Sequence, residues 1–213
     1  AAWSNRNLRL DTANTNFELQ GATTVRQGLT ILAGTLDNSN DGGTTKYGLT
    51  VQGTWDGSGG AFTHNSGETV TFSGSESAQI GAEDFNNLTV NKTSSTMTLG
   101  GNVNVVGTAS VAGGTLEVST RTLDVDNNLT VEGGTLSMTG SGGQITMASG
   151  KTFSMTSGNF NASDVATAPV VTSDSPGTNF YTASFTGGTL DVDELDFRSF
   201  SRAGVAMNGV TVT

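Results

Sequence analysis

Apolar residues recur along this chain as triplets with a polar residue between them. Ala109-Ser-Val111, Leu116-Glu-Val118 and Leu123-Asp-Val125 are followed by Leu129-Thr-Val131, Leu136-Ser-Met138 and Ile145-Thr-Met147. Alternation with a period of two predicts strands, the flanking residues turned inward and the middle one outward. Thr and Val suit such a pleated, half-buried surface. About four residues of Gly, Asn, Asp, Ser or Thr, all turn formers, separate the triplets. No stretch carries a helical period with caps.

The triplets belong to a longer repeat. Ala109-Ser-Val-Ala-Gly-Gly-Thr-Leu-Glu-Val118 and Leu129-Thr-Val-Glu-Gly-Gly-Thr-Leu-Ser-Met138 align without gaps, twenty positions apart. The same module recurs as Leu29-Thr-Ile-Leu-Ala-Gly-Thr-Leu-Asp-Asn38, Phe153-Ser-Met-Thr-Ser-Gly-Asn-Phe-Asn-Ala162 and Ala183-Ser-Phe-Thr-Gly-Gly-Thr-Leu-Asp-Val192. Shorter forms begin at Leu49, Val70, Leu88 and Val205, so most starts follow one another at about twenty positions, with the widest step between Phe153 and Ala183. An earlier start, Leu8-Arg-Leu10, lies one such step before Leu29. Three short strands and three turns per unit describe one coil of a triangular solenoid. The predicted fold is all-β, a parallel β-helix (β-solenoid) of nine to ten coils of about 20–22 residues, in one domain over residues 1–213. A single coil cannot bury its inward face, so stacking supplies the core. At ~4.8 Å per coil the rod is about 45 Å long. A β-sandwich is the competing fold, but its strands recur at about 8–12 residues and these triplets recur too closely.

Composition alone leaves disorder open: 30 Gly, 34% hydrophobic residues, 13% charged residues and a net charge of −10 in 213 residues. The repeated apolar positions exclude it. With no Cys and one His, disulfides, Cys-bound metals, Cys nucleophiles and multi-His metal sites are excluded. Nine basic against nineteen acidic residues argue against nucleic acid and anionic membranes as partners. No apolar run reaches the ~20 residues of a membrane-spanning helix, so no membrane insertion is expected. The chain opens Ala1-Ala2-Trp3, the small-residue start that removal of a signal peptide leaves.

Phe85-Asn-Asn-Leu-Thr-Val90, Gly101-Asn-Val-Asn-Val-Val-Gly107 and Gly113-Gly-Thr-Leu-Glu-Val118 resemble the parallel β-helix repeats of secreted bacterial surface proteins: large adhesins, autotransporter passengers and filamentous-haemagglutinin-like proteins. The resemblance covers residues 29–160 well and the rest loosely. It implies a right-handed coil, an extracellular, cell-surface location and a scaffolding or adhesive role.

The repeat is broken most by an insertion at about residues 161–182, which holds both prolines, Pro169 and Pro176, and is expected to leave the coil as a loop. Asp37-Asn-Ser-Asn-Asp-Gly-Gly-Thr-Thr-Lys46 and Asp56-Gly-Ser-Gly-Gly60 read as wide turns. Two acidic clusters stand out, Asp124/Asp126 and Asp191/Asp193/Asp196. Either could hold Ca²⁺, but the calcium nonapeptide pattern is absent and the reading favoured is a solvated face. A polysaccharide-active β-helix enzyme would need clustered carboxylates with basic partners. Arg198 and Arg202 near Asp196 are the closest approach, so no catalytic residue, cofactor or metal is assigned and the chain is read as non-enzymatic. His64 reads as a turn residue. Thr69/Thr71, Thr96/Thr98, Thr120/Thr122 and Thr211/Thr213 fall in different phases of the repeat, so no flat Thr ladder of the ice-binding kind is expected. Trp3, Trp55, Tyr47 and Tyr181 could stack on sugars, but Trp55 replaces Leu at an inward position and reads as core. The sequons at Asn87, Asn91, Asn128 and Asn161 arise easily in a chain rich in Asn and Thr.

A solenoid exposes a strand edge at each end unless a cap covers it. Val205-Ala-Met-Asn-Gly-Val-Thr-Val-Thr213 is repeat-like throughout, and Leu8-Arg-Leu10 comes early. The expected assembly edges are Leu8 and Leu10 at one end and Val205, Met207, Val210 and Val212 at the other. The leading expectation is a secreted structural rod or fibre subunit that stacks end to end or continues as a longer rod. The alternative is an adhesin or carbohydrate-binding module recognising surface glycans.

Overall fold

The computed structural model describes residues 3–40, 44–163 and 166–213, and of residues 3–5 and 202–203 the backbone alone. Its elements are strands, with no helix among the described residues. Successive coils stack in parallel, as the period-two triplets require. The first position of the coil follows one column of ladder partners, Trp3, Thr23, Leu49, Val70, Leu88, Ala109, Leu129, Phe153, Ala183 and Val205. The chain is therefore a β-solenoid of about nine turns.

Each turn has three faces. Leu129–Val131, Thr152–Met155 and Tyr181–Phe185 stack on the first face, and Thr135–Ser137, Asn159–Ala162 and Thr189–Val192 on the second. The third is a separate six-stranded sheet running from Glu83–Phe85 to Asp196–Phe197. The first two merge into one seventeen-stranded sheet because Trp3–Glu18, Thr23–Asp37, Asn87–Leu99 and Ala109–Glu117 run unbroken around the corner between faces. One apolar cluster runs through the interior, with Leu and Val in the middle coils. Rings fill it at two levels: Trp55, Phe62, Phe72 and Phe85, then Phe153, Phe160, Phe185 and Phe197.

The corner between the first and second faces explains the Gly-Thr-Leu core of the module. Gly158 and Gly188 have φ of +77° and +87°. A Cβ on Gly158 would lie 2.2 Å from the Gly134 carbonyl, and one on Gly188 2.2 Å from that of Gly158. Only glycine accepts both the left-handed backbone and the contact with the coil below. At the turn into the first face, Asn side chains join neighbouring coils. Asn87 Oδ1 accepts from Thr108 N (2.8 Å) and Asn128 Oδ1 from Thr152 N (3.0 Å).

Three expectations are corrected. The module at Leu29 does not stack under Leu49. Thr23 pairs with Leu49, Leu29 with Trp55 and Leu36 with Phe62, so that coil is longer than the regular ones and this module starts on the second face. The pattern fixes the period but not the phase, because apolar-polar-apolar followed by Gly-Thr-Leu fits more than one corner. Residues 161–182 are not a single loop. Val170–Ser173 forms the third-face strand of its coil, paired with Gln144–Met147 and Asp196–Phe197. Pro169 sits just before that strand, where a missing N–H costs no ladder bond. Residues 164–165 of that insertion, and 41–43 of the turn after Asp37, lie outside the described residues. Finally, a hydroxyl ladder does form. It comes from the centre of each first-face triplet, Thr24, Thr50, Thr71, Thr89, Ser110, Thr130, Ser154 and Ser184, rather than from Thr-x-Thr pairs.

Candidate functional site

The last coil holds an apolar opening. Phe200–Met207 and Thr211–Val212 pair with the coil below and with no strand above among the described residues. Met207 and Val212 are 55% and 59% exposed, while Val205 and Val210 are half-buried against the core. Leu190, Val192, Leu195 and Phe197 complete a hollow of about 360 Å³ lined mostly by carbon. The first coil differs. Leu10 is buried, pairing with Ile31, and Leu8 is half-buried, pairing with Leu29. Arg9 and Asp11 form an exposed ion pair of 2.8 Å beside them. All six residues expected at the edges thus lie on terminal coils, and among the described side chains of those two coils the exposed large apolar ones, Met207 and Val212, are on the last.

Charge differs between the ends as well. Residues 1–26 carry three Arg against two acids, whereas residues 183–213 carry four acids against two Arg. Arg198 Nε donates to Asp196 Oδ2 at 2.7 Å, which holds the Asp196 carboxyl below the usual carboxylate range. Asp191 and Asp196 lie on the second and third faces, so the coil separates this cluster rather than gathering it.

Asp124 stands outward on the third face in a column with Asp84, Asn104 and Thr146. The Thr146 hydroxyl donates to Asp124 Oδ1. Burial, then the charges of Asp124 and Asp174, push the Asp126 carboxyl up. Asp174 is remote from Asp126 in the sequence, and stacking alone brings it near. Among the described residues no three acidic or histidine side chains gather as a metal-holding group.

The aromatic candidates divide by burial. Trp55 is core, as expected, and its Nε1 donates to Glu83 Oε2 at 2.8 Å. Tyr181 is also fully buried rather than available to a sugar. Its hydroxyl donates to the Val171 carbonyl, and burial raises its pKa. Tyr47 is half-buried and accepts from Asn40 Nδ2. The side chain of Trp3 lies outside the described residues. Phe180, which no pattern in the sequence marks, is 48% exposed beside the turn around Pro176.

Sequence reasoning also missed a buried polar cluster where the second coil leaves the solenoid. Asp37, Asn38, Ser39 and Glu68 are all buried. Asp37 Oδ1 accepts from Ser39 N, Ser39 Oγ and Asn65 Nδ2 at 2.6–3.1 Å. Asn65 N donates to Glu68 Oε2 at 2.7 Å. Burial pushes the Glu68 carboxyl up. The hydrogen bonds from Asn65 oppose the rise, the charge of Asp37 adds to it and Lys46 lowers it. Only a run of turn-forming residues marked this place in the sequence.

These features define a β-solenoid with one open apolar end and a polar excursion near the other. No family model, curated protein or solved structure matches the chain.

Proposed function

We propose that the protein is a non-enzymatic structural subunit of a bacterial cell-surface rod or fibre, in which the last coil of one molecule seats the first coil of another. The observation that carries this reading is the open end at Val205, Met207 and Val212. An unpaired parallel edge beside an apolar hollow suits another coil with the same strand spacing. The opposite charge balance of the two end segments favours head-to-tail over tail-to-tail contact. Such a contact is heterologous and does not close, so it propagates into a filament. Electron microscopy of the concentrated protein is expected to reveal fibres that shorten to single rods in Met207→Asp and Val212→Asp. Single rods of about 45 Å at every concentration, on the ~4.8 Å coil spacing, would overturn the reading.

A second reading, a glycan-binding adhesin, is favoured by the exposed Phe180 beside the Pro176 turn. Glycan-array binding that is lost in Phe180→Ala would support it.

A further inference from the structure

We propose that Asn208-Gly209 is a self-modifying site: the Gly209 nitrogen attacks the Asn208 amide, and the resulting aspartyl or isoaspartyl turn retires the open end of an unassembled rod. Asn208, Gly209 and Val210 cross the corner from the first to the second face of the last coil, between Met207, which pairs with Phe185, and Thr211, which pairs with Thr189. In the coils below, the place of Asn208 is held by Ala112, Glu132, Thr156 and Thr186, none of them an amide. This is the one Asn-Gly step in the sequence. Both residues are exposed. The Asn208 backbone N–H is anchored on the Phe185 carbonyl at 2.9 Å. Its side chain and the Gly209 N–H have no hydrogen-bond partner among the described residues. Gly209 has φ of +69°, a conformation that favours glycine, so the corner itself sets beside the amide a nitrogen that no Cβ shields. Asn87, Asn128 and Asn161 differ. Each is followed by a residue with a Cβ, and each Oδ1 accepts a backbone N–H, from Thr108, Thr152 and Ser163.

In the step, a bond forms between Gly209 N and Asn208 Cγ, the Cγ–Nδ2 bond breaks, and ammonia leaves with the Gly209 proton. Water then opens the cyclic imide at either carbonyl. One water enters and one ammonia departs, with no oxidant or reductant. Both products add a negative charge. Isoaspartate also adds one carbon to the main chain, just before the two-residue pairing of Thr211 and Val212 with Thr189 and Leu190. The edge strand then loses its register with an incoming coil. This consequence, unlike the chemistry, rests on the fibre reading, in which stacking also covers the corner and preserves it.

The test holds the full chain at mildly alkaline pH, native and in urea, and maps it by peptide mass spectrometry with enzymatic isoaspartate labelling. The expected result is an amide-to-acid mass gain at Asn208 in the native protein, within a few-fold of its rate in urea and ahead of every other asparagine. Gly209→Ala should slow the gain several-fold or more. Asn208→Gln, which keeps the glycine the corner needs, should abolish it. A native rate more than an order of magnitude below that in urea, or equal gain at other asparagines, overturns the site. Electron microscopy then compares aged with fresh protein. Aged subunits should extend few fibres, while Asn208 within preformed fibres stays an amide. Undiminished fibre formation by isoaspartyl subunits overturns the retirement step. Absence of fibres from fresh protein overturns the fibre reading and that step with it, while the mass gain still decides the site.

Discussion

The coils from Leu88 to Met147 and those from Thr23 to Phe85 solve one packing problem in two ways. In the later group the coils are nearly equal in length, as Leu88 pairs with Ala109 and Ala109 with Leu129. Side chains of similar size then fall above one another, and Leu, Val, Ile and Met suffice for the core. In the earlier group the coils shorten one after another, from Thr23 to Leu49, then to Val70, then to Leu88. Uneven coils leave uneven space. The chain fills it with Trp55, Phe62, Phe72 and Phe85, packed edge to face, with the half-buried Glu83 on the Trp55 indole and with the buried Glu68. Regular spacing lets the backbone ladder do the stacking, whereas irregular spacing shifts the burden to particular side chains.

The largest test of this contrast is Trp55→Ala. It removes the ring at the centre of the early cluster and leaves Glu83 without its indole donor, so a loss of about 3–5 kcal/mol is expected. Leu123→Ala, in the regular coils, should cost about 2–4 kcal/mol. Chemical denaturation of both variants measures the difference, and equal losses would erase the contrast.

Next comes the corner between the first and second faces. Gly188→Ala should cost about 3 kcal/mol, because a Cβ there meets the Gly158 carbonyl as well as an unfavourable φ. Gly150→Ala has a similar φ, +72°, but open space around it, and should cost only about 1 kcal/mol. Thermal unfolding of the pair separates the cost of contact from the cost of conformation.

Lys92 comes third. Its Nζ donates to the Gln52 and Ser73 carbonyls at 2.8 and 2.7 Å from a buried position. Lys92→Met leaves both carbonyls without that donor, for an expected loss of about 1–3 kcal/mol. Burial lowers the Lys92 pKa below its ordinary 10.5. Between those two values the unfolded chain binds more protons than the folded one, so this contribution to stability rises with pH there. Lys92→Met should abolish that rise in denaturation midpoints measured in alkaline buffers.

The smallest effect concerns Glu83. Burial, opposed by the Trp55 hydrogen bond, raises its carboxyl above the ordinary 4.5. The folded protein therefore binds more protons in that window. The stability this contributes is present at or below pH 4.5 and is lost as pH rises through the raised value. Glu83→Gln should flatten the slope by about 1 kcal/mol or less per pH unit, read from midpoints across mildly acidic to neutral buffers.

The sequence made the regular coils legible because inward and outward positions there obey one period, as Leu123-Asp-Val125 above Val103-Asn-Val105 illustrates. It made Trp55 legible as core for the same reason. It misassigned the phase at Leu29, since two corners of the coil accept the same Gly-Thr-Leu signal. It hid the strand Val170–Ser173, whose outward Val170 breaks the alternation. The Asp37–Glu68 cluster was invisible in principle: its members are far apart along the chain, and a coil of unusual length brings them together. The open apolar end was anticipated at Val205, Met207 and Val212, while burial of Leu10 depends on how the first coil settles on Ile31.

The direction of the inter-coil hydrogen bonds has a mechanical consequence. They point from coil to coil, along the length of the stack, so tension applied between the two ends pulls each rung open lengthwise instead of sliding strands past one another. Because each coil chiefly touches its neighbours, the load passes through the coils in series. The strength of the whole is then that of its weakest joint, and a joint with few rungs, such as the one where Leu49, Thr50 and Val51 pair with Val70, Thr71 and Phe72 and Trp55 alone pairs with Ile80, is where extension would begin.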